Sequence, residues 1–205
     1  MKPDDVQKAL AKARSKAERS LWFGALLARE LGTEIVIVGG SAIEVYTSGK
    51  YVSGDLDLVG EREPMVSLLE RWGFRREGRL WTRTELSLWV DPVGREYAGD
   101  TRRLRIVETP YGRVRLASIE DLIAKRLIET KVWPRGGTEL FDQALALASE
   151  YSDQVDWDYV SAVAGRDHAG DLVPELRRRV ARGVSGGTND LTAQTARSER
   201  AFDES

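Results

Sequence analysis

Two short stretches decide the fold of this chain: IVIVGGS at residues 35–41 and SGDLDLV at residues 53–59. The first is a β-branched apolar run that ends in two glycines and a serine, which is typical of a buried strand entering a tight turn and a helix. The second alternates acidic and apolar residues, so Asp55 and Asp57 share one face of a short strand. Together they predict a strand, a turn and a helix beside a second strand that carries two carboxylates.

The carboxylate pair favours a bound metal ion, and the glycine turn favours a bound phosphate. Two carboxylates on one face repel each other, and a hard cation such as Mg²⁺ relieves that repulsion. Taken alone, such a pair also fits a solvated face of an edge strand. The turn at Gly39, Gly40 and Ser41 favours the metal, because backbone amides and a hydroxyl at a helix N-terminus hold phosphate oxygens.

The spacing of these residues is similar to a known signature. Gly40-Ser41, then 13 residues, then Asp55-Leu-Asp57-Leu resembles the motif of the DNA polymerase beta-like nucleotidyltransferase superfamily. The resemblance implies that the turn binds a nucleoside triphosphate and that the two aspartates bind two Mg²⁺ ions, or Mn²⁺ in their place. It also implies a third carboxylate on the next strand, and Ser53 stands where the family often carries a small hydroxyl residue.

The third carboxylate is predicted to be Glu85. Residues 84–89 have the alternation of an adjacent strand, with Glu85 on the polar face. The resemblance implies aspartate at this place, so the longer glutamate is a departure from the family pattern. Asp91 is the alternative, although its position before Pro92 is typical of a turn. The predicted catalytic residues and metal ligands are therefore Asp55, Asp57 and Glu85.

The rest of the chain predicts an α/β (α+β) nucleotidyltransferase fold, with a mixed central sheet of about five strands and a C-terminal helical domain. Residues 1–117 hold a helix over 4–31, the strands, and a helix from residue 64; residues 118–182 hold only helical patterns. Residues 183–205 are polar and poor in apolar side chains, which predicts a disordered tail.

Composition excludes several kinds of site. The chain has no cysteine and a single histidine, so disulfides, thiolate zinc sites and histidine metal sites are excluded, and any metal must be bound by carboxylates. The 31 lysines and arginines nearly balance 33 aspartates and glutamates, so nucleic-acid binding would require a local basic patch. The apolar runs are too short to cross a bilayer, which predicts a cytoplasmic protein without a membrane partner.

Two further cations are candidate nucleotide ligands. Lys50 precedes Asp55 in the loop and either contacts the γ-phosphate or faces water. Arg126 lies on the apolar face of the helix predicted from residue 118, where it either binds the triphosphate or pairs with Glu139 or Asp142 of the next helix. Residues 118–147 resemble the corresponding region of abortive-infection and toxin-type nucleotidyltransferases, with Arg126 in place of a lysine.

The function that these features predict is transfer of a nucleoside monophosphate from a nucleoside triphosphate to a hydroxyl acceptor. The acceptor is tRNA, a protein or a small molecule, and the toxin-type resemblance implies a cognate antitoxin or toxin partner. The alternatives are an inactive nucleotide-binding or antitoxin-like protein, for which Glu85 leaves room, and an RNA-binding module. A candidate RNA-binding strip consists of Arg103, Arg105, Arg113 and Arg115, although a salt-bridged solvent face is the simpler explanation of this alternation.

Overall fold

The computed structural model describes residues 1–133 and 137–182 of the chain. Within these residues there are eight α-helices: α1 (Pro3–Leu10), α2 (Lys16–Leu31), α3 (Gly39–Tyr46), α4 (Arg62–Arg71), α5 (Ile119–Val132), α6 (Gly137–Glu150), α7 (Trp157–Arg166) and α8 (Leu172–Ala181). Seven strands form one sheet: β1 (Val36–Ile37), β2 (Leu56–Val59), β3 (Arg75–Glu77), β4 (Leu80–Arg83), β5 (Leu88–Gly94), β6 (Arg105–Thr109) and β7 (Gly112–Leu116).

The sheet is mixed and has the order β3-β4-β5-β2-β1-β7-β6. β1 pairs antiparallel with β2 and parallel with β7, and β2 pairs parallel with β5. The hairpins β3–β4 and β6–β7 form the two edges of the sheet. This order places the aspartate-bearing strand β2 in the centre, between the strand that leads into the glycine turn and strand β5.

Helices cover the sheet and extend its core. The aromatic side chains of Phe23, Trp72 and Phe74 meet where α2 and the end of α4 pack together, with ring centroids 5.3–5.8 Å apart. The buried side chains of the sheet and of α5 to α8 belong to one continuous hydrophobic cluster. The boundary predicted at 117/118 falls in the short link between β7 and α5, and the division into two domains stays a prediction.

The predicted fold class is confirmed, with differences in detail. The sheet has seven strands rather than about five, for two reasons. Residues 80–94 are divided by a 3₁₀ turn into β4 and β5, and β3 consists only of exposed charged residues without apolar alternation. The helix predicted over 4–31 is two helices, since Ser15 caps the second one and accepts a hydrogen bond from the Glu18 N–H at 3.1 Å. The predicted tail at 183–205 lies outside the described residues.

The helices of the described part of the chain include none that is both long enough and apolar enough to span a bilayer.

Candidate functional site

Three aspartates meet at the centre of the sheet. Asp57 of β2 lies directly opposite Asp91 of β5 in the parallel register, and Asp55 precedes Asp57 by two residues. One carboxylate oxygen from each of Asp55, Asp57 and Asp91 lies within 4.8 Å of the other two. We call these three residues the acidic cluster. Sequence reasoning had brought Asp55 and Asp57 to one face, and the structure adds Asp91 to them.

The structure does not bring Glu85 to this cluster, which corrects the sequence-based choice. Residues 84–86 form a 3₁₀ turn rather than part of a strand, and the Glu85 side chain is 66% exposed with its carboxylate 3.9 Å from Arg83 Nε. Asp91 was expected in a turn because Pro92 follows it. Instead, both residues belong to β5. The pairing of β5 with β4 stops at Val90, before Pro92, so the missing N–H of Pro92 costs no hydrogen bond to β4.

The electrostatics of the acidic cluster favour a bound cation. The pKa of Asp57 is raised from an ordinary 3.8 to about 6, first by burial and then by the charges of Asp55 and Asp91. Burial also raises the pKa of Asp91. Carboxylate oxygens are the ligands that Mg²⁺ prefers, and a divalent ion would offset both the cost of the buried charge and the repulsion between the carboxylates. The donor set therefore fits a hard divalent cation.

The glycine turn is shaped around Asp57. Gly39 has φ +59°, and a Cβ at this position would lie 2.1 Å from Asp57 Oδ2. A residue with a side chain would therefore be strained and would also collide with the carboxylate. The Gly40 N–H hydrogen-bonds the same carboxylate and lowers its pKa. Helix α3 begins at Gly39, so the N-terminus of α3, with its Gly40 N–H, lies beside the acidic cluster.

The Ser41 hydroxyl is hydrogen-bonded within the turn, and its contact with a phosphate stays a prediction. Ser41 is buried, its Oγ donates to the Val38 carbonyl at 2.9 Å, and it accepts from the Asp57 N–H at 3.2 Å. The hydroxyl hydrogen is thus used within the turn. Ser41 ties the glycine turn to strand β2 and so holds Asp57 in place.

The loop between α3 and β2 uses its predicted ligand residues for structure. Ser53 is buried, its Oγ donates to the Asp55 carbonyl at 2.9 Å, and its N–H donates to Glu44 Oε2 at 2.9 Å. Lys50 Nζ lies 2.6 Å from Glu150 Oε2 of α6. Ser53 therefore shapes the approach to Asp55, and Lys50 ties the loop to the C-terminal helices.

Arg126 is a buried residue of helix α5. Its Nη1 pairs with Glu129 one turn along α5, rather than with Glu139 or Asp142. Within the described part of the chain its buried Nε has no hydrogen-bond partner. Its positive charge lowers the pKa of Asp57, which shows that it acts on the cluster electrostatically.

A contact that sequence reasoning missed joins the loop to α6 beside Arg126. Gln143 Nε2 donates to the Tyr51 hydroxyl at 2.9 Å. The Tyr51 ring lies against the glycine turn, since a Cβ on Gly40 would be 3.5 Å from its Cε1. The charges of Asp55 and Asp57 contribute to the raised pKa of Tyr51, although burial is the main cause. No periodicity signals this contact, because it joins residues 92 positions apart.

The predicted basic strip is mostly salt-bridged, and its first member, Arg103, lies in a 3₁₀ turn before β6 rather than on a strand. Three of its four arginines pair with carboxylates and the fourth lies over an aromatic ring: Arg103 with Asp156 at 2.6 Å, Arg113 with Glu108 at 2.6 Å, Arg115 with Glu34, and Arg105 with its guanidinium 5.7 Å from the Tyr46 ring centroid. This arrangement fits the simpler explanation of a solvent face.

Comparison with known proteins gives one fold-level similarity. No protein-family model matches the chain, and no curated protein matches it. In structure it is similar to an antigenic nucleotidyltransferase-like protein from Paracoccidioides brasiliensis, with a TM-score of 0.52 and 12% identity over 86% of this chain and 94% of that one. At this identity the likeness concerns the fold alone. The chain thus has a nucleotidyltransferase-like fold, with an acidic cluster at the centre of its sheet.

Proposed function

We propose that the protein is a nucleotidyltransferase that transfers a nucleoside monophosphate from a nucleoside triphosphate to a hydroxyl acceptor. The observation that carries this proposal is the convergence of Asp55, Asp57 and Asp91 beside the amides of the glycine turn. The nucleotidyltransferase-like fold agrees with it. Three carboxylates suit divalent metal ions, and helix-terminal amides suit phosphates.

The proposed reaction assigns a role to each side chain and backbone group of the site. The acceptor oxygen bonds to the α-phosphorus, the bond from that phosphorus to the bridging oxygen breaks, and pyrophosphate leaves. When bound, two divalent cations would activate the hydroxyl and stabilise the leaving pyrophosphate. Asp55, Asp57 and Asp91 would bind these ions. Asp91 would also orient the acceptor hydroxyl and take up its proton. The Gly39 amide and Arg126 would bind the triphosphate.

The alternative function, an inactive nucleotide-binding or antitoxin-like protein, was based on Glu85 as the third carboxylate of the site. In the structure the cluster consists of three aspartates, so that reason for doubting catalysis no longer applies. An antitoxin or toxin partner rests on the toxin-type resemblance alone and stays a proposal.

An incorporation assay tests the proposal. Purified protein is incubated with each α-³²P-labelled nucleoside triphosphate, with Mg²⁺ or Mn²⁺, and with pools of RNA including tRNA, of protein, and of hydroxyl-bearing small molecules such as aminoglycosides. Asp91→Asn is expected to lower the rate at least about 100-fold, because it removes a metal-binding carboxylate. Glu85→Gln is the matched control and is expected to change the rate less than about threefold, since its carboxylate is exposed and outside the cluster.

Two results would count against this proposal. Absence of a metal-dependent product in every pool would refute the enzymatic function. Loss of activity in Glu85→Gln with activity retained in Asp91→Asn would instead restore the glutamate as the third ligand.

A further inference from the structure

Arg79 is the cation that contacts the acidic cluster most directly. It follows Gly78 in the tight turn between β3 and β4. Its Nη2 lies 3.2 Å from Asp55 Oδ2, and its Nε lies 3.2 Å from Asp91 Oδ2. One guanidinium group thus bridges two of the three carboxylates that form the proposed metal site.

This bridge occupies one oxygen on each of two carboxylates that a divalent ion would use. The charge of Arg79 lowers the pKa of Asp91 and so offsets part of the effect of burial. A guanidinium remains charged at any physiological pH, so it cannot release the carboxylates by losing a proton. A cation that binds Asp55 Oδ2 and Asp91 Oδ2 must therefore displace the Arg79 side chain.

The structure makes this displacement easy. The Arg79 side chain is 75% exposed, whereas those of Asp55 and Asp91 are only 22% and 10% exposed. The neighbouring strand β3 is an exposed edge of the sheet, and Gly78 at φ +61° has open space around it. The arginine can therefore swing into solvent while the carboxylates stay fixed in the sheet.

We propose that Arg79 is a positioning residue that competes with the divalent cation for Asp55 and Asp91. When it is displaced, it pairs with a phosphate of the incoming nucleotide. The inference rests on the proposed function, since it assumes a metal and a triphosphate at the acidic cluster. Its consequence is that metal and nucleotide bind cooperatively, because the nucleotide offers Arg79 a new anionic partner.

Metal binding without turnover tests this inference. Mn²⁺ binding is measured by isothermal titration calorimetry on the full-length protein, with and without a non-hydrolysable nucleoside triphosphate analogue. Without nucleotide, Arg79→Gln is expected to bind Mn²⁺ about three- to tenfold more tightly than the wild type, the factor that two weak ion pairs contribute. Arg79→Lys keeps the charge but cannot bridge both carboxylates, so an intermediate affinity is expected.

The nucleotide supplies a second readout that a merely structural role would not change. In the wild type the analogue is expected to tighten Mn²⁺ binding, and in Arg79→Gln that gain should shrink by several fold. Arg75→Gln is the matched control, because Arg75 is an exposed arginine on the same hairpin, and it should differ from wild type less than twofold in both titrations.

The outcomes separate this inference from the proposed function. Equal or weaker Mn²⁺ binding by Arg79→Gln, with wild-type binding intact, would refute the competition and leave the metal site standing. No difference in Mn²⁺ binding between the wild type and Asp57→Asn would refute the metal site itself, and the competition with it.

Discussion

Replacing Asp57 by asparagine is expected to stabilise the metal-free protein while abolishing its proposed activity. Asp57 is held in a crowded, largely buried place between two other carboxylates, and its pKa is raised to about 6. An asparagine has nearly the same shape and still offers an oxygen to the Gly40 N–H. The substitution removes the charge that the fold disfavours and leaves the packing unchanged.

The expected size of this effect follows from the pKa. The rise from 3.8 to about 6 spans about 2 pH units, which corresponds to about 3 kcal/mol once the carboxylate is fully charged. Because the pKa is higher in the folded than in the unfolded state, folding favours the protonated form. The cost of the charged carboxylate is therefore absent below about pH 4, grows as the pH rises, and is complete above about pH 7.

Urea denaturation in buffer with a chelator measures this effect. At pH 8 the free energy of unfolding of Asp57→Asn should exceed that of the wild type by about 1.5–3 kcal/mol, and the difference should vanish near pH 4. Glu85→Gln is the control and should change the free energy of unfolding by less than about 0.5 kcal/mol, because that carboxylate is exposed. Added Mg²⁺ should stabilise the wild type and not the variant.

A variant less stable than the wild type at pH 8, or a difference that does not depend on pH, would refute this reasoning. The first result would mean that the charge of Asp57 is stabilised in the folded protein. The second would mean that the change in stability does not come from the charge of Asp57.

Two substitutions test how the turn and the loop support the cluster, again by urea denaturation. Gly39→Ala should cost more than about 2 kcal/mol, because its Cβ would lie 2.1 Å from Asp57 Oδ2. Gly49→Ala, also at positive φ but with open space around it, should cost only about 1–2 kcal/mol, so equal costs would contradict the collision. Tyr51→Phe should cost about 1–3 kcal/mol, because it removes the hydroxyl that the Gln143 amide contacts; an unchanged free energy of unfolding would show that this contact is dispensable.

Local sequence was sufficient for much of the C-terminal half. Ser118 followed by Asp121 is a capping pattern at the start of the helix predicted from residue 118, and in the structure the Asp121 N–H donates to Ser118 Oγ at 3.1 Å. The hairpin around residues 110–111 and the four C-terminal helices also follow from turn residues and periodicity. Helix capping and strand alternation depend on residues only a few positions apart, so they can be recognised in the sequence alone.

The same local rules misplaced the third carboxylate. The alternation at 84–89 looked like a strand, and Asp91-Pro92 looked like a turn. In the structure Asp91 and Pro92 instead belong to β5 and pair with β2. Pro92 is tolerated there because the pairing of β5 with β4 stops at Val90. This pairing joins residues more than 30 positions apart, and no local pattern encodes its register.

The sequence by itself determined that a strand enters a glycine turn and that Asp55 and Asp57 share a face, because both depend on the two-residue period of a strand and on short-range turn geometry. Only the tertiary structure decided that Asp91 completes the cluster, that Arg79 bridges it, and that Ser41 is used within the turn. These three outcomes depend on strand register and on where side chains from distant segments meet, and folding settles such contacts through packing and charge rather than through local preference.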